Sequence, residues 1–266
     1  MSPVQAIAAR ELLTVARSRA TLVLFAGVLF VVFGIAITGD EPHYLSTAVD
    51  LLLPMELLVP AVAVALGYRT VVDDARRGEL EVLETYPVTY WQYVCGVYLG
   101  RGIALVVVLC LPLVLVGVYV TTSSPEPIPT VATHTGVDSP VVFARFITLT
   151  IGFGLTILAV SIAVSAIARS RRSALVYAVV ALAMVVLVLD LLVVRGFTGG
   201  LVPTDQLTSV LAISPTSAYR GLAFETVVSP AIETDLQQAS PLLNVASLAV
   251  WTLGSLGVAS LAITRR

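Results

Sequence analysis

Six apolar runs, each close to the length that crosses a lipid bilayer, decide what this chain can fold into. They fall at roughly residues 20–37, 48–68, 98–120, 141–168, 173–194 and 242–263, and a helix needs about 20 residues to cross a ~30 Å hydrocarbon layer. The runs are apolar at nearly every position. Barrel strands would instead alternate over about ten residues, so the runs read as helices. Hydrophobic residues make up 58% of the 266 positions and charged residues only 12%. Mean hydropathy is +0.97, more than any water-soluble core requires. The expectation is an all-α, polytopic membrane protein with six transmembrane helices, forming one membrane domain over residues 1–266 without internal repeats.

The fifteen basic residues are all arginine. Arg10, Arg17, Arg19, Arg69, Arg76, Arg77, Arg169, Arg171, Arg172, Arg265 and Arg266 share one side of the six-span scheme. The other side holds Asp40, Glu41, Glu126, Asp138, Asp205, Glu225, Glu233 and Asp235 against Arg195 and Arg220. Because translocated loops are poor in arginine, the first side is assigned to the cytoplasm, and both termini with it. The arginine-bearing lead before residue 20, with further spans behind it, argues for a retained first helix rather than a cleaved signal.

The lack of lysine excludes the Gly-Lys-Ser/Thr phosphate loop and lysine-based covalent chemistry. His43 and His134 both fall in expected outer loops, so HExxH zinc sites and a Ser–His dyad lack their parts. No catalysis, bound cofactor or metal is expected of this chain, and no nucleic-acid partner. Cys95 and Cys110 lie about 22 Å apart along one expected helix, too far for a disulfide, and read as buried thiols.

The charged stretch at 69–90, between the second and third runs, must lie outside the hydrocarbon. Asp73 and Asp74 are placed to cap a helix and complement its positive end. The pattern predicts one amphipathic helix ending before Pro87. Leu80, Val82 and Leu83 would face the body, with Arg76, Arg77, Glu79 and Glu81 facing water or a partner. The plainer alternative is a simple positive-inside loop. Residues 3–19 place Val4, Ile7, Leu12 and Val15 near one face. They predict an interfacial helix, or else an extension of the first span.

Outside, residues 121–140 read as an irregular proline-rich loop and 195–241 as a larger one. Within the latter, Ser214 as cap and Pro215 in the first turn predict a short helix, either dipping into the outer leaflet as a gate or lying solvated. Ionisable groups inside spans are costly, which singles out Glu56 and Asp190, with Asp50 and Arg145 near the outer boundary. They read as pathway or ion-pair residues, Asp190 pairing with Arg145 or Arg195, or as snorkelling side chains. Gly96, Gly100 and Ala104, and Ser161 with Ser165, form small-residue stripes for close helix contact, within the chain or at a dimer seam.

The order of elements, with the segment Arg77-Gly78-Glu79-Leu80-Glu81-Val82-Leu83-Glu84-Thr85-Tyr86-Pro87, resembles permease subunits of ABC-2 type transporters. Within them it is similar to NosY-like permeases. That narrower likeness rests on Leu83-Glu84-Thr85-Tyr86-Pro87, on Leu189-Asp190-Leu191-Leu192, and on Ser214-Pro215-Thr216-Ser217-Ala218-Tyr219-Arg220. The resemblance implies a type V exporter-like permease fold in the cytoplasmic membrane. It also implies a homodimer and a separate cytoplasmic ABC ATPase carrying the ATP and Mg. Coupling to that ATPase would fall to Asp73, Asp74, Arg76, Arg77, Gly78, Glu79, Leu80, Glu81, Leu83 and Glu84. Glu56, Asp190, Pro215, Tyr219 and Arg220 would line a pathway or gate. The implied function is ATP-driven export or translocation, with NosY-like metalloenzyme maturation as the narrower role. A membrane scaffold that recruits a cytoplasmic protein without moving cargo is the alternative.

Overall fold

The computed structural model describes residues 2–39, 43–123, 138–200, 210–229 and 240–265. Expectations for His134 and most of the 121–140 loop lie outside them, as do those for Asp205, Glu233 and Asp235. Among the described residues every regular element is a helix. In chain order these are α1 (Pro3–Ala16), α2 (Arg19–Thr38), α3 (Tyr44–Gly67), α4 (Thr70–Arg76), α5 (Glu79–Glu84), α6 (Tyr90–Ser123) and α7 (Pro140–Ile167). Then come α8 (Arg171–Ala183), which runs through a π turn into α9 (Leu189–Thr198), then α10 (Pro215–Ala223) and α11 (Pro241–Thr264). Among the described residues six helical stretches are long and apolar enough to cross a membrane, α3 with α4 forming one of them and α8 with α9 another.

Helices α3, α6 and α7 form the centre. Leu51, Met55 and Val59 of α3 pack with Leu105, Leu109 and Leu113 of α6 and with Phe146, Phe153 and Leu158 of α7, all buried. In lipid, apolar side chains gain little by leaving their surroundings, so close packing has to hold such helices together. Gly154 shows how. A Cβ there would stand 3.0–3.1 Å from Leu105, Leu109 and Val59, so its absence lets three helices converge. The outer spans α2, α8–α9 and α11 turn Phe30, Leu187 and Leu242 outward, as lipid-facing helices do. Cys95 and Cys110 are free and half-buried, more exposed than their apolar setting suggested.

The small-residue stripes serve contacts within the chain. A Cβ on Gly96 would lie 2.7 Å from Cβ of Ile7, and one on Gly100 would lie 2.5 Å from the Ala8 carbonyl oxygen. These two glycines therefore seat α1 against α6. Ser161 similarly meets Gly67, where an added Cβ would come within 2.6 Å of its hydroxyl. Helix α1 is a separate element rather than an extension of α2. Ser2 and Gln5 close its start as a reciprocal capping box, and the chain turns at Arg17. Helix α6 begins well before the apolar run, because Tyr93, Val94 and Val97 are buried against protein.

Candidate functional site: a charged end and an embedded ion cluster

At the α4–α5 end, the local structure differs from a single capped helix in two ways. Helix α4 starts at Thr70, and its first free amides, Val71 and Val72, donate to the Ser165 hydroxyl of α7 at 3.1 and 3.2 Å. Asp73 and Asp74 thus lie inside α4 and do not cap it. Gly78, at φ +74°, then breaks the helix into α4 and α5, a left-handed conformation that glycine adopts without Cβ strain.

Asp74 is buried and receives three donors from three places. Arg10 of α1 reaches it at 2.8 Å, Arg77 at 2.5 Å, and the Tyr93 hydroxyl of α6 at 2.7 Å. Arg10 also holds Glu79 at 2.5 Å and Glu11 at 2.9 Å, and Arg77 holds Glu79 at 2.7 Å. Burial opposes a charge on Arg10, but the carboxylates of Asp74 and Glu11 outweigh it and hold its pKa above the ordinary arginine value. Glu11 is itself buried and takes a second guanidinium, Arg101 of α6, at 2.9 Å. Arg101 in turn donates to the Leu66 carbonyl in the last turn of α3. Asp73 is held outside this network by Arg171 at 2.7 Å and Arg69 at 3.3 Å.

The outward side of the same segment is mixed in character. Arg76, Arg77 and Glu81 are exposed, and so are Val82 (58%) and Tyr86 (62%). Leu80 is buried and Leu83 packs on the core, as expected, while Val82 points away from the body. Glu79, expected in water, is half-buried between two arginines; the side chain of Glu84 lies outside the described residues.

At the opposite end, α10 is embedded among α3, α7 and α11 rather than solvated. Ser214 accepts from the Ser217 amide and Pro215 occupies the first turn, the capping that the sequence calls for. Tyr219 is fully buried; its ring stacks on Phe153 at 4.8 Å and its hydroxyl pairs with that of Thr150 at 3.0 Å. One turn is thereby fixed so that Arg220 meets two acids. Its guanidinium donates to both oxygens of Glu56, at 2.7 and 2.5 Å, and stands 3.6 Å from Asp190. Asp190 also accepts from Ser217 at 2.9 Å. The Asp190 partner is therefore Arg220, not Arg145 or Arg195, because α10 folds back across the fifth span. Arg145 instead donates to the Thr226 carbonyl at 3.3 Å. Thr216 donates to the Val185 carbonyl, inside the π turn Met184–Val188 where the α-helical ladder is interrupted.

Compared with known protein families, residues 5–266 match the family described as ABC-2 family transporter protein. The chain belongs to that family. No curated protein matches it. This ABC-2 protein is accordingly a multi-pass membrane component of an ABC transporter, a class that works with an ABC ATPase and generally has no ATPase site of its own. Among the described residues of this ABC-2 chain, no group of three or more His, Cys, Asp or Glu is placed to hold a metal ion.

Two members of the charged end escaped sequence reasoning. Arg101 sits in an apolar run and Glu11 on the inward face of α1, buried at 3% exposure. A charge in each was the available signal, since such groups persist only with a partner. Tyr93 carried no signal beyond its polarity.

Proposed function

We propose that this chain is the transport subunit of an ATP-driven ABC-2 transporter of the cytoplasmic membrane. Its α4–α5 segment seats on a cytoplasmic ATPase, with both termini on that side. The observation that carries this is the two-sided character of the segment. Its outer side offers Arg76, Glu81, Val82 and Tyr86 to a partner, while Asp74 ties the inner side to α1 and α6. A push on the outer side therefore loads three elements together. Two copies of the chain pair to enclose the pathway, and the Glu56–Arg220–Asp190 cluster with Pro215 and Tyr219 forms its gate at the other end.

Delivery of copper or sulfur species to a metalloenzyme, the NosY-like role, is the narrower reading. It is supported by the contact between two of the segments that carry that likeness, Ser217 donating to Asp190.

The test is Glu81→Arg with Tyr86→Ala, two exposed positions outside the ion network. With the ATPase co-expressed, copurification and ATP-dependent transport should both fall while membrane insertion is unchanged. Unchanged copurification and transport would overturn the coupling assignment. Lost copurification with no transport in the parent protein would favour a scaffold.

A further inference from the structure

Between the α1–α2 turn and the α3–α4 turn lies a half-open cleft of about 910 Å³. Its lining is apolar at Val23 and Leu24 of α2 and at Ala65 and Leu66 of α3. The same lining also carries charge. Guanidinium groups of Arg10, Arg69, Arg77 and Arg101 line it, matched in number by the carboxylates of Glu11, Asp73, Asp74 and Glu79.

These charges are unequally committed. Arg10, Arg77 and Arg101 make contacts of 2.5–2.9 Å to acids. Arg69 meets the Tyr68 side chain and Asp73, the latter at 3.3 Å, and Asp73 is already held by Arg171 at 2.7 Å. The Arg69 head stands 6.0 Å over the Tyr68 ring and is 46% exposed, so it keeps donors for a ligand. A guanidinium fork matches the oxygens of a phosphate. Water or a free anion could use the polar groups alone, whereas the apolar lining residues suit a hydrocarbon chain. The volume lies within the ~300–1,000 Å³ typical of small-molecule sites.

We propose that the cleft seats one glycerophospholipid of the adjoining leaflet, its phosphate on Arg69 and an acyl chain along Val23, Leu24 and Ala65. The lining is formally balanced, so a net-neutral headgroup such as phosphoethanolamine leaves no uncompensated charge. Glu79 is the carboxylate its ammonium can approach: each oxygen already accepts one arginine N–H, at 2.5 and 2.7 Å, but keeps a second lone pair, and the side chain is half-buried where Glu11 and Asp74 are fully buried. The site stands whether or not the chain moves cargo.

The test uses the purified full chain in detergent, titrated with phosphatidylethanolamine or phosphatidylglycerol and read by native mass spectrometry. One phosphatidylethanolamine should be retained in preference to phosphatidylglycerol. Arg69→Gln should cut retention about tenfold, the equivalent of ~1.4 kcal/mol. Ala65→Trp, which fills the cleft at its apolar lining without removing a charge, should cut it by a similar factor. Millimolar inorganic phosphate should not displace the lipid. Equal retention by Arg69→Gln and the parent, equal retention of the two lipids, or displacement by phosphate alone would each overturn the proposal. Should Ala65→Trp fail to fold, Arg69→Gln at an exposed side chain still decides the matter.

Discussion

Both ends of the bundle hold a carboxylate against arginine, yet they are wired differently. At the charged end Asp74 has three donors drawn from α1, the α4–α5 turn and α6. In the embedded cluster a single guanidinium, Arg220, serves Glu56 and Asp190 together. The first arrangement is redundant and spreads a load over several elements. The second concentrates it on one side chain. Under the proposed coupling and gate, redundancy suits the region that stays attached while being pushed, and a single shared cation suits the one that opens.

The sharpest way to break this contrast is Arg220→Gln. Removing one partner of a buried pair costs more than the pair contributes, because the remaining charge keeps its desolvation penalty. With Arg220 itself 40% exposed, the expected loss is about 3 kcal/mol, the low end for such pairs. It should appear as reduced yield and a lower thermal midpoint in detergent. Glu56→Gln added to Arg220→Gln should recover part of it. A double variant no better than the single would show that Glu56 is not the group left stranded.

Asp74→Asn probes the redundant end and should cost less, about 1.5 kcal/mol, since the amide oxygen can still accept from Arg10 and Tyr93 while Arg77, which would meet the amide NH2, keeps Glu79. Hydrogen exchange should rise across α4 and α5 while the α3–α6–α7 centre is unaffected. A loss as large as that of Arg220→Gln would erase the distinction between the two ends.

What was legible in the sequence follows the range of the forces involved. The spans and the charged segment could be read because hydropathy acts residue by residue over whole runs. The Ser214–Pro215 start of α10 was equally readable, since capping is local. The break at Gly78 was missed because the flanking charges kept a continuous helical pattern, although glycine is the residue that permits it. The pairings were out of reach altogether. Glu56 and Arg220 are separated by 164 positions and Arg101 and Glu11 by 90, distances over which no periodicity survives. The sequence could show that Glu56 and Asp190 needed partners, but the turn of α10 chose which.

The smallest expected effect tests how the charged end is anchored below its ion network. Ser165 reaches from α7 to accept the Val71 and Val72 amides, capping α4 across the fold rather than from within its own strand of sequence. Losing a capping hydroxyl typically costs about 1 kcal/mol. Ser165→Ala should therefore lower stability by about that much and leave the Asp74 contacts in place, because those come from α1, α6 and Arg77. Exchange protection should fall at Val71 and Val72 and not at Leu80 or Leu83. If protection falls equally along both short helices, the serine is holding the whole segment, and the ion network contributes less to its attachment than its distances suggest.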